Sequence, residues 1–285
     1  MVLSAALLML FNVVVSWHWN FYTFSKRDLA LQLLAESHGV VLEILIVGVL
    51  MVWINTVTEK KKSRDQAIGE IEDLRYQEGQ YVQVRILRNV KTLQRLGITV
   101  VDLHAVYLPA CNFRLYDLTG AVLSGMNATR GHFQGCTLQR ANLATGDFTN
   151  ADFNNADLSF VNAQHASFEN AYLISTKLDD GSLESCSFKG AKITGSSFIG
   201  ANLTDAIFDD ASMFRVDFTA ARGLTKEQLR GVKRMVDCIF DPEFYVELQR
   251  EELIKNGAHR ASHDRPELQI RPQTESKPNP SPLLG

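Results

Sequence analysis

Residues 141–160 read ANLAT GDFTN ADFNN ADLSF. A leucine or phenylalanine stands at the third position of each group of five, as in Leu143 and Phe148, and a small residue stands two positions earlier. Apolar residues recur every 3.6 positions on one face of a helix and every second position on one face of a strand, so neither element accommodates this pattern. The spacing predicts a chain that turns a corner after every five residues.

The same spacing extends from Leu103 to Phe218, which gives 24 positions five residues apart. Of these positions, 22 hold Leu, Phe, Ile or Met, and 18 are preceded two residues earlier by Ala, Cys, Gly, Ser or Thr. Asp or Asn stands directly before the large residue 11 times. We therefore expect one large and one small side chain per side to fill a narrow core, while Asp and Asn bond to the backbone of the turns.

Four segments carry the repeat in its fullest form: Ala141-Asn142-Leu143, Ala151-Asp152-Phe153, Ala156-Asp157-Leu158 and Ala201-Asn202-Leu203. In these segments the chain resembles the pentapeptide-repeat family, whose consensus is Ala-(Asp/Asn)-Leu-x-x. The resemblance implies an all-β solenoid, a right-handed quadrilateral β-helix with four repeats per coil, and so about six coils over residues 101–222. We also predict α-helices on both sides of the solenoid and an N-terminal transmembrane hairpin.

Residues 20 positions apart should stack if four repeats make one coil. One such column, which we expect to be structural core, contains Phe148, Phe168, Phe188 and Phe208. A second column contains Leu118, Leu138, Leu158 and Leu178. Cys111, Cys136 and Cys186 take the small inward position, which predicts buried, reduced thiols rather than metal ligands or disulfides.

Two apolar segments precede the repeats. Residues 39–58 contain one charge, Glu43, and are long enough to cross a bilayer as a helix. Residues 1–24 are uncharged and predict a second transmembrane helix, or alternatively a cleaved secretory signal, although no Lys or Arg precedes the segment and no Ala-x-Ala follows it. The pair predicts a hairpin with residues 25–38 outside. Glu43 is then either a functional group in the membrane or, as we favour, an acid near the interface that is protonated or reaches water.

A basic cluster, Lys60-Lys61-Lys62-Ser63-Arg64, follows the second apolar segment directly. Short flanks rich in Lys and Arg mark the cytoplasmic side of a span, and this cluster outweighs Lys26 and Arg27 at the other end. The sequence therefore predicts a protein of the inner (plasma) membrane, in contact with the lipid bilayer, with its repeat domain in the cytoplasm.

Helical patterns flank the repeats on both sides. Residues 59–97 predict a charged linker, in the form of a solvated helix or weak coiled coil, followed by a capping helix. The apolar stripe of the capping helix is Val82, Ile86, Val90, Leu93 and Leu96, and Gly97 ends the helix. Residues 223–256 predict two capping helices, the first with Thr225 as N-cap and Leu229, Val232 and Val236 on one face, the second from about Pro242 to Asn256. Residues 257–285 hold five prolines and predict a disordered tail.

Composition and motifs argue against several function classes. The chain has 29 Lys and Arg against 32 Asp and Glu, so we expect no direct nucleic-acid binding. It has neither a glycine-rich phosphate loop nor a recognisable nucleophile or metal motif, and His104, His132 and His165 fall on outward positions where we expect solvated side chains. We predict no catalytic, cofactor-binding or metal-binding residues and no enzyme activity.

Two kinds of binding function remain. In the first, the rod is a scaffold or adaptor for a protein partner. The 20-residue period places four outward apolar residues on two adjacent sides, where they are the possible partner surface or, alternatively, isolated surface hydrophobics: Phe160, Ile174, Ile199 and Phe214. In the second, the resemblance implies a DNA mimic that modulates a DNA-binding enzyme such as gyrase. The repeats carry 13 acidic and 8 basic residues, but Arg130, Arg140, Lys177, Lys189, Lys192 and Arg215 interrupt an acidic stripe. A subunit of a transport or secretion assembly is a further alternative, and an oligomer is possible.

Overall fold

The computed structural model describes residues 26–251, 253, 259 and 260, and the side chains of residues 43–251 and 253. The chain forms two compact units, residues 1–63 and residues 64–285. The transmembrane helix predicted over residues 1–24 lies outside the described residues, as does the predicted tail apart from 259 and 260.

Helix α1, Lys26–Leu74, is 49 residues long. The predicted loop over residues 25–38 is therefore wrong from Lys26 onward, because Ala, Leu, Gln, Glu and Lys favour a helix and neither Gly nor Pro interrupts them before Gly39. Apolar side chains between Ile44 and Val57 are exposed on this helix. In the part of the chain that the structure describes, no helix is both long and apolar enough to cross a membrane.

The repeat region is a parallel β-helix. Bridges join residues 20 positions apart, from Asp102 with Val122 to Asn202 with Arg222, and every one is parallel. Three short strands continue this register as a sheet: β1, Tyr172–Ile174, pairs with β2, Lys192–Thr194, which pairs with β3, Ser212–Phe214. The number of coils, about six, stays a prediction.

Every corner of the coil has a residue in the left-handed conformation. From Ala105 to Ala220 each fifth residue has φ between 53° and 69°, and most of these residues are not glycine. Hydrogen bonds stabilise the corners, for example from Val106 N to Leu103 O at 3.3 Å. Asp and Asn accept from the backbone nitrogen two residues later at 102, 112, 117, 127, 142, 147, 152, 157, 162, 202 and 217. This contact offsets the cost of a left-handed residue next to it.

Stacked aromatic rings fill the core. Phe168 lies between Phe148 and Phe188, with ring centroids 5.5 and 5.3 Å apart and interplanar angles of 15° and 7°. Phe188 stacks in turn on Phe208 at 5.2 Å, and all four rings are fully buried. A second stack begins after Leu178, where Phe198, Phe218 and Phe240 follow at 5.3 and 5.4 Å.

Two helical segments cover the N-terminal end of this core. Helix α2, Gln80–Arg95, buries Val82, Ile86, Val90 and Leu93, and Gly97 follows it with φ 76°. Ala67, Ile71 and Leu74 at the end of α1 are also buried. The linker before α2 is thus helical as predicted, but its apolar stripe, with spacings of four and three residues, is buried rather than solvated.

A polar network joins these two helical segments. The Glu70 carboxylate accepts a hydrogen bond from Asn89 Nδ2 at 2.7 Å and one from the Arg85 guanidinium at 2.8 Å. These two bonds lower the pKa of Glu70. The carboxylate therefore stays ionised while it links α1 to α2, and the contact is lost when Glu70 is protonated at low pH.

The C-terminal end of the core contains both predicted helices, each with its predicted start but shorter than predicted. Helix α3, Lys226–Arg230, starts from Thr225, whose side chain forms a capping box with Gln228. Strand β4, Arg234–Val236, then pairs with β3, so that Arg234 lies opposite Ser212 where the spacing of the repeats would place Val232. Val232 and Val236 therefore do not extend α3, because the chain returns to the solenoid after a detour of two extra residues.

The last strands continue the 20-residue period of the solenoid. Strand β5, Ile239–Phe240, precedes helix α4, Pro242–Arg250, and pairs in parallel with strand β6, His259–Arg260. Ile239 lies opposite His259, which restores the spacing of the repeats. The prediction of a disordered tail from residue 257 is wrong at His259 and Arg260, because these residues pair with the open edge of β5, one coil length earlier.

Candidate interaction surface

Strands β1 to β4 form a four-stranded sheet on one side of the β-helix, and we call its outward surface the sheet face. Alternate residues of each strand point outward, which gives two columns along the solenoid axis. The first column consists of Tyr172, Lys192, Ser212 and Arg234, and the second of Ile174, Thr194, Phe214 and Val236. A cationic column therefore lies beside a mainly apolar one.

Aromatic rings hold two of the cations on the sheet face. The Lys192 ammonium lies 4.6 Å from the centroid of the Tyr172 ring, and the Arg215 guanidinium carbon lies 4.8 Å from that of Phe214. Arg215 also contacts Asp237 at 3.8 Å. Such contacts favour one position of a flexible side chain at the surface.

The sheet face contains a shallow groove. Its volume is 420 Å³, and it is lined by Lys192, Thr194, Ser212, Met213, Phe214 and Arg234. Thr194 and Ser212 are short side chains between longer ones, which explains the depression. Lys192 and Arg234 form its two cationic walls, and Phe214 forms its apolar wall.

The four predicted partner residues do not form one patch. Ile174 and Phe214 share the apolar column of the sheet face, with Thr194 between them. Phe160 lies at a corner, 53% exposed, with the Arg140 guanidinium 5.8 Å from its ring. Ile199 is half-buried, and its backbone nitrogen donates to Asp179. The structure thus brings together two of the four.

Tyr172, Lys192 and Arg234 complete the sheet face but were missed in the sequence. Tyr172 and Lys192 stand directly before the large residue of their repeats, where Asp or Asn is most common. This departure from the repeat was a usable signal. For Arg234 there was no such signal, because the detour through α3 shifts this residue out of the five-residue spacing. Leu115, at a corner and 79% exposed, was also missed.

His104 lies on an outward position with its side chain 38% exposed, but it also contacts two charged neighbours that the sequence did not indicate. Its Nδ1 lies 2.8 Å from Arg75 Nη1 and 3.0 Å from Asp102 Oδ1, and the Arg75 side chain is only 11% exposed. Burial opposes ionisation of Asp102, but hydrogen bonds from His104 and the charge of Arg75 keep the pKa of that carboxyl below its usual value. This cluster joins the end of α1 to the first repeat. His132 and His165 are exposed.

We expect all four cysteine thiols to be unreactive in the folded protein. Cys111, Cys136, Cys186 and Cys238 are buried, and burial raises their pKa, to about 12 for Cys136 and Cys186 and about 11 for Cys238. Because the thiolate is the reactive species, a disulfide reagent at pH 8 should release almost no product until denaturant is added. A Ser175→Cys variant, with a thiol at an exposed corner, should react at once; comparable labelling of the wild type would contradict this assignment.

Side chains that could bind a ligand or catalyse a reaction lie together at few places in this fold. Across the residues that the structure describes, no three His, Cys, Asp or Glu side chains lie close enough to hold a metal ion. The sheet face offers cations, aromatic rings and a groove, which suit the binding of another molecule. It presents neither a nucleophile paired with a base nor a carboxylate pair.

Comparison with known proteins agrees with this fold. A family model of pentapeptide repeats matches residues 117–155, 151–190 and 182–219, with eight copies. No curated protein sequence matches the chain.

Several solved structures are similar to part of the chain. HetL, a pentapeptide repeat protein involved in heterocyst differentiation regulation from the cyanobacterium Nostoc sp. strain PCC 7120, is 16% identical, with 54% of this chain and 79% of HetL covered and a TM-score of 0.42. A pentapeptide repeat protein from the Arabidopsis thaliana thylakoid lumen is 27% identical, with coverage of 41% and 74% and a TM-score of 0.35. QnrB1, a plasmid-mediated fluoroquinolone resistance protein, is 18% identical, with coverage of 54% and 83% and a TM-score of 0.32.

The repeat match and the parallel bridges between successive coils describe the same part of the chain. Pentapeptide repeats form right-handed β-helices. Residues 117–219 are therefore pentapeptide repeats and form a β-helix.

Proposed function

We propose that this chain is a non-enzymatic scaffold, anchored in the inner membrane, that presents its β-helix to a protein partner in the cytoplasm. The observation that carries the proposal is the sheet face, a rigid surface with exposed aromatic, aliphatic and cationic side chains in fixed columns. The core does not need these side chains, since its own rings are already stacked and fully buried. Aromatic residues and Arg are enriched where proteins bind one another.

The membrane part of the proposal rests on the sequence. Residues 39–58 hold one charge and precede a basic cluster, and the apolar side chains of α1 between Ile44 and Val57 are exposed to solvent. Exposed apolar side chains on successive turns of a helix need a covering, and a bilayer provides one. The basic cluster at 60–64 favours the cytoplasm for the chain that follows it.

DNA mimicry is less well supported than a scaffold. A mimic of DNA needs a continuous acidic surface, whereas Lys192, Arg215 and Arg234 make the sheet face basic. The aromatic rings beneath two of these cations also have no counterpart in a phosphate backbone. The sheet face therefore suits the partner of a scaffold better than it suits the DNA-binding site of an enzyme.

The orientation can be tested by labelling in whole cells. The native thiols are buried, so single added cysteines report their own position. We expect Ser37→Cys to react with a membrane-impermeant maleimide in intact cells and Ser63→Cys to react only after lysis. The reverse pattern would place the repeats outside and remove the cytoplasmic scaffold.

The partner can be tested by site-specific photocrosslinking in the same cells. A benzophenone amino acid at Phe214 should give a covalent adduct with one defined protein, because this side chain lies on the sheet face. The same probe at Thr145, an exposed corner on another side of the coil, is the matched control. Failure of Phe214, Ile174 and Tyr172 to give any adduct would count against a scaffold that uses this surface.

A further inference from the structure

Two cations of the sheet face lack a carboxylate partner within the described part of the chain. Lys192 and Arg234 are both exposed, and the salt bridges found between described residues involve neither. Arg215, by contrast, contacts Asp237. Lys192 and Arg234 therefore keep their full charge for a bound anion.

The register of the sheet sets these cations on either side of one hydroxyl. Lys192 pairs with Ser212, and Ser212 pairs with Arg234. Neighbouring strands lie about 4.8 Å apart, so an anion held over Ser212 lies roughly one strand spacing from each cationic residue. The groove opens at this place, between Thr194 and Ser212. A carboxylate here would accept hydrogen bonds from Ser212 and Arg234, and from Lys192 once its ammonium turns away from Tyr172, whose ring and hydroxyl it contacts in the structure.

An apolar surface lies directly beside this anion position. Ile174, Phe214 and Val236 stand in the neighbouring column, two residues along each strand. A ligand that covers both columns needs a negative charge and an aliphatic or aromatic group close to it. An inorganic anion has only the first, and a membrane surface is too flat to enter a groove whose floor is Ser212 and Met213.

The local charge differs from that of the whole repeat region. Residues 101–222 carry 13 acidic and 8 basic side chains, whereas the outward columns of β1 to β4 carry Lys192 and Arg234 and no acid. An acidic ligand is therefore repelled by much of the rod and attracted to this face. Such a contrast gives specificity as well as attraction.

We propose that the sheet face binds an acidic segment of the partner protein, with one carboxylate over Ser212 between Lys192 and Arg234. An aliphatic side chain of the same segment packs on Phe214. The inference rests on the proposed scaffold function and adds the chemistry of the partner.

The test is a binding measurement on the full chain in detergent. The probe is a short fluorescein-labelled peptide made of glutamate and leucine, and fluorescence anisotropy follows its binding. The Lys192→Glu, Arg234→Glu double variant should bind it at least about tenfold more weakly, because two attractions become repulsions. The control, Arg130→Glu with Lys189→Glu, changes the same charge at exposed positions on another side and should leave binding within about twofold.

Two further arms address the apolar column and the sign of the ligand's charge. Phe214→Ala should weaken binding of the glutamate-leucine peptide and leave the weaker binding of an all-glutamate peptide unchanged. A lysine-leucine peptide should not bind. Circular dichroism of each variant should match that of the wild type, which shows that a loss is not a loss of fold.

Several results would overturn the inference. If the control pair weakens peptide binding as much as the double variant does, the effect is a general charge effect. If glycerol phosphate displaces the peptide at a lower concentration than acetate does, the sheet face binds phosphate groups such as lipid headgroups. If Phe214 crosslinks a partner in cells and the double reversal leaves that adduct intact, this inference fails while the scaffold stands. If the peptide binds as expected but no sheet-face position gives an adduct, the scaffold fails and the binding chemistry stands.

Discussion

Phe168→Ala should destabilise the β-helix by about 3–5 kcal/mol, the cost of removing a large buried side chain from a core that cannot collapse around the cavity. Phe168 is fully buried and stacks on Phe148 and Phe188, and its ring edge also meets Phe153 at 5.5 Å. Backbone hydrogen bonds between coils hold the neighbouring rings at their spacing, so relaxation is limited. The midpoint of urea denaturation, followed by circular dichroism, measures the effect.

Phe160→Ala is the matched control because it makes the same substitution in the same solenoid. Phe160 is 53% exposed at a corner, and the Arg140 guanidinium lies 5.8 Å from the centre of its ring. An exposed cation–π contact contributes about 0.5–1 kcal/mol, so we expect a loss of no more than about 1 kcal/mol. Similar denaturation midpoints for the two variants would mean that the inward and outward positions are wrongly assigned.

Gly223→Ala should have the second largest effect, a destabilisation of about 2–5 kcal/mol. Gly223 has φ 71°, where a residue with a side chain costs about 1–2 kcal/mol. A Cβ atom here would also lie 2.8 Å from the Cα and the backbone nitrogen of Thr204, which cannot move without breaking the coil. Overpacking of this kind adds about 1–3 kcal/mol.

Gly195→Ala separates the two causes. Gly195 has φ 61°, similar to that of Gly223, but a Cβ atom there would meet only Ser175 Oγ at 3.9 Å. We therefore expect about 1–2 kcal/mol for this variant, from backbone conformation alone. If both alanine variants denature at the same urea concentration, the close approach of Gly223 to Thr204 contributes nothing and the described exit from the coil is incorrect.

Much of the repeat domain could be predicted from the sequence because its structure is periodic. A five-residue pattern places each large side chain inward, and the length of one coil follows from stacking like residues in columns, as Phe148 and Phe168 do. Helix α2 was also predictable, since Val82, Ile86 and Val90 form an apolar stripe and Gly97 ends it. In these segments local pattern and tertiary contacts favour the same conformation.

Other features depend on tertiary contacts that leave no periodic signal. The sequence suggested that Val232 and Val236 continue a helix, yet β3 offers an unpaired edge, and β4 pairs with it after a detour of two residues. The same detour brings Arg234 beside Ser212.

The β-helix, its inward residues and the helix that covers its N-terminal end thus follow from spacing along the chain, and the amino-acid sequence is enough to predict them. The complete sheet face does not, since Lys192 and Ser212 are 20 residues apart and stack by the period of the coil, whereas Arg234 becomes their neighbour only through the pairing of β3 with β4. Such contacts depend on register rather than on local preference. A shift of register by two residues therefore created a surface that no local pattern of the chain contains.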